Sequence, residues 1–181
     1  MRVAFISRRR AGAGTADEAG QSLVEFSLVL TPLFFILLGI IQFGFIFNTY
    51  VTMTNAARDA ARLGTIYIYD ADYSKSQNDV FRNEAIKDAV MTSMNMLGKT
   101  APNFTTGSTW TQSGTTFTSG DLVITYAVPS GVTDTDARVG QELTVRATYH
   151  QDLIIPLVSN FLPKDAGGRM TLVGEVTMVV N

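Results

Sequence analysis

Hydrophobic and polar positions are spread very unevenly along this 181-residue chain. From Phe26 to Phe47 almost every side chain is apolar, and no charged residue occurs from Phe26 to Ala57. As a helix, the 22 residues of Phe26–Phe47 would extend about 33 Å, close to the ~30 Å hydrocarbon thickness of a bilayer. Nothing stops that helix at Asn48. Asn55-Ala-Ala-Arg-Asp-Ala-Ala-Arg-Leu63 is built from strong helix formers and predicts a continuous stalk to about Thr65. Ala56, Ala60 and Leu63 share one side of it. Ala57, Ala61 and Gly64 form a neighbouring small-residue strip, suited to close contact with another helix or with the distal domain. Arg58 and Arg62 share a face, and Asp59 can pair only with Arg62.

Beyond Thr65 the pattern changes period. Thr65–Asp72 is β-branched and aromatic, then polar. From about Asn78 a helical pattern returns, with Phe81, Ala85, Ala89 and Met96 joined by Ile86, Val90 and Leu97, and Gly98 at the C′ position. Met91, Met94 and Met96 read as core filling, with an adaptable binding groove as the alternative. Thr100–Gly120 is rich in Thr, Ser and Gly around Phe104, Trp110 and Phe117. This predicts an exposed loop or edge hairpin, with Trp110 either packed inward or offered as an adhesive patch. Leu122, Ile124, Tyr126 and Val128 alternate in one strand, stopped by Pro129-Ser130-Gly131. Leu143, Val145, Ala147 and Tyr149 face one way in the next, opposite Thr144, Arg146, Thr148 and His150, and Met170–Val180 supplies a third. Short links favour an antiparallel sheet. Leu153–Leu162 is too oily for a plain loop and can pack on the sheet, touch the membrane surface or meet a partner. The expected fold class is α+β: a long N-terminal transmembrane helix extending into a stalk, then a small extracytoplasmic domain with an amphipathic helix on an antiparallel sheet. The expected divisions are a leader at 1–20, helix and stalk at 21–65, and the domain at 66–181.

Charge sets the orientation. The chain carries 14 Lys+Arg and 16 Asp+Glu; residues 1–20 hold four arginines (Arg2, Arg8, Arg9, Arg10) and two acids (Asp17, Glu18), leaving 10 basic and 14 acidic groups after them. The arginines precede the apolar run and nothing basic follows until Arg58, so the N-terminus is expected in the cytoplasm and the remainder outside. An acidic remainder argues against nucleic acid as a partner. Cysteine is absent, which excludes disulfides and thiolate metal sites. Within the span, Pro32 predicts a bend near residues 28–32. Gly39 and Gly44 allow close helix packing, and Gln42 and Asn48 offer polar groups to a partner helix; ordinary lipid-facing composition is the plainer alternative.

One residue does not fit a plain anchor. Glu25 stands at the start of the apolar run, where a lone carboxylate costs several kcal/mol. Cleavage after Gly20 would make Gln21 the N-terminus and Glu25 the fifth residue, and the new α-amino group could neutralise it within one chain or between subunits. Alternatively, Glu25 snorkels to the headgroups. Gly20-Gln-Ser-Leu-Val-Glu25-Phe resembles the processing site of prepilin-like proteins, cut after the glycine with glutamate at the fifth mature position. Gly20–Phe47 and Thr54–Arg62 together resemble the TadE family of pseudopilins from tight-adherence (Flp) pilus systems. A weaker similarity lies in Leu143–Tyr149, Ile155-Pro156-Leu157 and Leu172–Val179, and none lies between Tyr69 and about Gly120. The resemblance implies cleavage by a prepilin peptidase and a minor or assembly role, since major Flp pilins are much shorter. It also implies other pilins or pseudopilins, the pilus assembly platform and the lipid bilayer as partners, in a possible hetero-oligomer at the bacterial inner membrane.

Candidate chemistry is sparse. His150 is the single histidine, with no nucleophile elbow or oxyanion loop in view. Asp134-Thr-Asp136 reads as an acidic turn, lacking the remaining ligands of a calcium loop, and Asp70 and Asp72 read the same way. Gly12 and Gly14 precede the anchor and form no phosphate loop. No catalytic, cofactor or metal residue is expected. The expected function is a minor pseudopilin that initiates, caps or anchors a pilus by helix packing. An uncleaved, membrane-tethered adhesin or envelope scaffold is the alternative, and an enzyme comes third.

Overall fold

The computed structural model describes residues 14–94 and 109–181. Arg2, Arg8, Arg9, Arg10, Met96, Leu97, Gly98 and Phe104 lie outside the described residues. Elements follow in the order α1 (Gly14–Thr65), α2 (Lys75–Ser93), β1 (Thr111–Ser113), β2 (Thr116–Ser119), β3 (Leu122–Ala127), β4 (Glu142–Gln151), α3 (Pro156–Ser159) and β5 (Met170–Val179). The chain divides into two compact units, Met1–Ile41 and Gln42–Asn181. In the first, α1 runs through Pro32 without interruption, and the Thr31 hydroxyl donates to the Ser27 carbonyl at 2.8 Å, one turn back.

The second unit is an α+β domain, as the change of period predicts. Its five strands form an antiparallel meander in the order β1-β2-β3-β4-β5. Two tight turns close its first hairpins, with Gly114 at φ 61° and Gly120 at φ 59°, a left-handed backbone open to glycine. Because side chains alternate along a strand, one face gathers Phe117, Leu122, Ile124, Tyr126, Leu143, Val145, Ala147, Tyr149 and Leu172 into the core. On the other face the register lines up Ser113, Thr116, Thr125, Thr144 and Thr177 in one row across all five strands. Hydroxyls within that row meet at 3.2 Å (Thr116–Thr125) and 2.8 Å (Thr144–Thr177). Val128, expected to continue β3, falls just past its end and is exposed.

The helix extension read as a stalk supplies a core face to this domain. Met53, Ala56, Ala57, Ala60 and Ala61 are fully buried, whereas Leu63, placed on the same side from sequence, is exposed. Small residues are needed because the backbones approach closely. A Cβ on Gly174 of β5 would lie 2.9 Å from the Met53 carbonyl oxygen, and one on Gly64 would meet Leu143 and Ile86. The Asn181 amide donates to the Thr65 carbonyl at 3.3 Å, joining the C-terminus to the end of α1.

Helix α2 differs from its expected form at both its start and its face. It begins at Lys75, where Ser74 and Gln77 make a reciprocal capping box. Phe81, expected in the core, is half exposed and meets Tyr73 edge-on at 5.2 Å, while Ala85 and Ala89 are half-buried. The buried face is Asn78, Asp79, Arg82, Asn83, Ile86, Lys87 and Val90. Five of these seven are polar, and the β3–β4 connection supplies partners to two of them, Asp79 and Arg82. Arg138 donates to both carboxylate oxygens of Asp79 at 2.7 and 2.8 Å, and to Gln141 Oε1 at 3.0 Å. Its backbone is left-handed at φ 60°, which is unfavourable for a side-chain-bearing residue and is held by this clamp. Arg82 donates to the Ala137 carbonyl at 3.1 Å and lies 5.0 Å from the Tyr67 ring centre. The Tyr126 hydroxyl donates to Asn83 Oδ1 at 2.7 Å, and burial raises its pKa well above the ordinary phenol value.

Three substitutions test this packing. Gly174→Val should destabilise the domain by about 1–3 kcal/mol, because the obstacle is main chain and α1 must move away; thermal unfolding of the purified full chain measures it. Asp79→Ala should cost about 3–5 kcal/mol by leaving Arg138 buried without its carboxylate. Removing Glu175 from its half-exposed pair with Arg146 should change stability by less than about 1 kcal/mol in the same assay.

Candidate functional site

The candidate residues lie on α1, but in two different environments. Gly20, Gln21 and Glu25 all fall inside the helix and are exposed. Gln21 Nε2 donates to Glu25 Oε1 at 3.0 Å, the geometry of side chains four residues apart. Glu25 therefore has a neutral amide partner within the uncut chain, from the same residue whose α-amine cleavage would free. The i,i+4 spacing carried that signal. A Cβ on Gly20 would meet nothing within 4 Å.

From Leu23 to Ile41 the large apolar side chains are exposed, except the half-buried Leu38; Leu23, Phe26, Leu28 and Ile40 are each more than 60% accessible. The helix is long and apolar enough to cross a membrane, and its most apolar window is not buried inside the protein. A helix that is apolar all round needs an apolar surrounding, either lipid or other helices. Gly39 and Gly44 leave open surface, since a Cβ on either meets nothing within 4 Å.

At Gln42 the environment changes. Gln42, Ile46, Thr49 and Met53 recur at the helical period and are all buried, while Phe43, Phe45 and Phe47 between them stay exposed. Gln42 was expected to face a partner helix; instead its Oε1 accepts from the backbone amides of Ile154 and Ile155, each at 3.1 Å. Its Nε2 has no hydrogen-bond partner among the described residues. Seven residues on, the Thr49 hydroxyl lies 2.7 Å from Gln151 Oε1 and 3.0 Å from the Phe45 carbonyl. Ala57 and Ala61 are likewise committed within the domain, the second of the two contacts their small-residue strip allowed. Of the expected packing residues, Gly39 and Gly44 keep open helix surface.

The oily segment Leu153–Leu162 is thus tied to α1. Leu153 and Leu162 pack against the core, and Ile154 and Phe161 point outward. Other candidate groups have structural tasks. Asp134 accepts from Lys75 Nζ at 2.8 Å and from Gln141, which hold its carboxyl below the usual range. His150 Nδ1 lies 2.7 Å from Asp165 Oδ2, and the Asp165 carboxyl also accepts from the Gly167 and Arg169 amides. Trp110 is inward, donating its indole N–H to Glu84. Among the described residues, no group of three or more His, Cys, Asp or Glu is placed to hold a metal.

Family comparison bears on the segment that carries both environments. Residues 20–62 match the family model of TadE-like proteins. The TadE-like segment takes in the exposed apolar helix, the change at Gln42 and the buried alanines, and stops three residues before α1 ends. It covers less than half of the chain. No curated protein and no solved structure matches.

Gln42→Ala should leave the amides of Ile154 and Ile155 buried without their acceptor, at a cost of about 1–3 kcal/mol each. Hydrogen exchange at those two amides should accelerate while the β3–β4 ladder keeps its protection.

Proposed function

We propose that this chain is a minor pseudopilin of a tight-adherence (Flp-type) pilus, inserted as a single-pass membrane protein and cut after Gly20 by a prepilin peptidase. It then initiates, caps or anchors the fibre by lateral helix packing with other pilins or pseudopilins on the assembly platform. The observation that carries this reading is the TadE-like match over a helix whose apolar circumference is left uncovered by its own domain. A bilayer covers such a surface before assembly, and neighbouring helices can cover it afterwards. In this scheme the N-terminus is cytoplasmic and the sheet domain extracytoplasmic, at the bacterial inner membrane. Cleavage turns the Gln21 nitrogen into a cation with an unperturbed pKa of about 7.7–8.0, able to meet Glu25 of its own chain or of a neighbour. Gly39 and Gly44 are the positions where a partner helix can come close.

A second reading, an uncleaved membrane-tethered adhesin or envelope scaffold, draws on the Gln21–Glu25 hydrogen bond, which gives the acid a partner without processing. Intact-mass analysis of the membrane form, made beside its matched peptidase, separates the two. The expected product begins at Gln21, and Gly20→Ala should retain the leader. Glu25→Gln should still be cut but incorporate poorly into fibres. A leader that persists in the unaltered protein favours the tethered module.

A further inference from the structure

We propose that the base of the sheet domain is a lipid-contacting seat in which Phe43, Phe47, Ile154 and Phe161 enter the outer hydrocarbon–headgroup boundary of the bilayer. This rests on the reading of α1 as a membrane anchor, and adds that the folded domain shares the membrane contact.

The apolar run ends at Phe47, but the compact domain begins at Gln42. The two overlap over residues 42–47, so a bilayer that covers the run brings the domain's base to lipid. Phe43 and Phe47 are 55% and 68% exposed on helix turns whose other side is domain core. The segment after β4 is held at the same level, because Gln42 accepts from both the Ile154 and Ile155 amides. From there it presents Ile154, 61% exposed, and Phe161, 86% exposed. Leu153 and Leu162 at the two ends of the segment pack on the core, so the outward residues sit on an anchored loop. Lys164 follows, exposed, with its Nζ 3.5 Å from Asn160 Oδ1, where a long stem and charged head suit the headgroup layer. Removing this apolar surface from water is favourable in the way that seats amphipathic elements in membrane interfaces. The occupant is lipid because the surface includes the last residues of the apolar run itself, Phe43 to Phe47.

The chain has no cysteine, so single introduced thiols report cleanly. The full chain in phosphatidylcholine vesicles would carry an environment-sensitive fluorophore at Asn160→Cys, Leu30→Cys or Thr115→Cys. Thr115 lies in the β1–β2 turn, and its carbonyl accepts from Tyr126 near the Thr65 end of the domain, away from Gln42. The label at 160 should be blue-shifted, quenched by nitroxide lipid and shielded from an aqueous quencher, like that at 30 and unlike that at 115. Adding Phe161→Asp should return it to water. If 160 behaves like 115 while 30 is in lipid, the seat is wrong and the anchor stands. A label at 30 that reports water overturns both. A label at 160 shielded from both quenchers means that a second copy or another protein covers the loop, which also overturns the seat.

Discussion

One helix has to satisfy two solvents, and the organisation of the chain follows from that. Up to Ile41, α1 presents apolar side chains in every direction and buries none of them in its own protein. From Gln42 the same helix is one-sided, with a buried stripe that continues through Met53 to Gly64. An aqueous surround cannot suit the first part, and a sheet cannot reach the second unless the residues between the backbones are small. The alanines and Gly64 meet that steric demand on α1, and Gly174 meets it on β5. Burying mostly Ala limits the hydrophobic gain per residue, so the contact relies on closeness more than on side-chain bulk.

Polar contacts fix how helix and sheet are aligned. Gln42 and Thr49 lie in the buried stripe and reach, respectively, the amides of Ile154 and Ile155 and the side chain of Gln151. An alanine–sheet surface can slide by a helical turn at modest cost, but two buried amides without an acceptor are expensive. The β3–β4 connection is treated similarly. Asp79, Arg138, Gln141 and Asp134 draw it against α2, and its left-handed residue Arg138 is held by a two-pronged carboxylate contact. These contacts make the domain a single register, and they place the oily segment at the level where the apolar run ends.

Much of this was legible in the residues. The apolar run, the helix continuing to Thr65 and the alternating strands are all consequences of local pattern, because side-chain period and turn chemistry act over a few residues. The face of α2 was legible only in part: Ile86 and Val90 are buried as read, but its polar members were not foreseen. Phe81, Ala85 and Ala89 lie on the more apolar stripe, yet Asp79 and Arg82 are buried more deeply, because a connection more than 50 residues later brings Arg138 and the Ala137 carbonyl to them. Hydrophobic periodicity ranks residues by their own transfer cost and cannot register a partner that cancels it. Gln42 is a similar case: an apolar-run glutamine signals a need for partners without saying whether they lie in another chain.

By itself, then, the sequence determined that there is a helix able to cross a membrane, an acid at the start of its apolar run five residues after a glycine, and an antiparallel sheet after it. Length, charge order and alternation are properties of neighbouring residues, and elementary physics converts them directly into elements. Only the tertiary structure decided that the helix becomes core at Gln42, that its small strip meets this chain's own sheet, and that a largely polar face of α2 is buried. Those outcomes depend on which distant backbone groups and charges arrive at the same place, and burial becomes favourable only once they do.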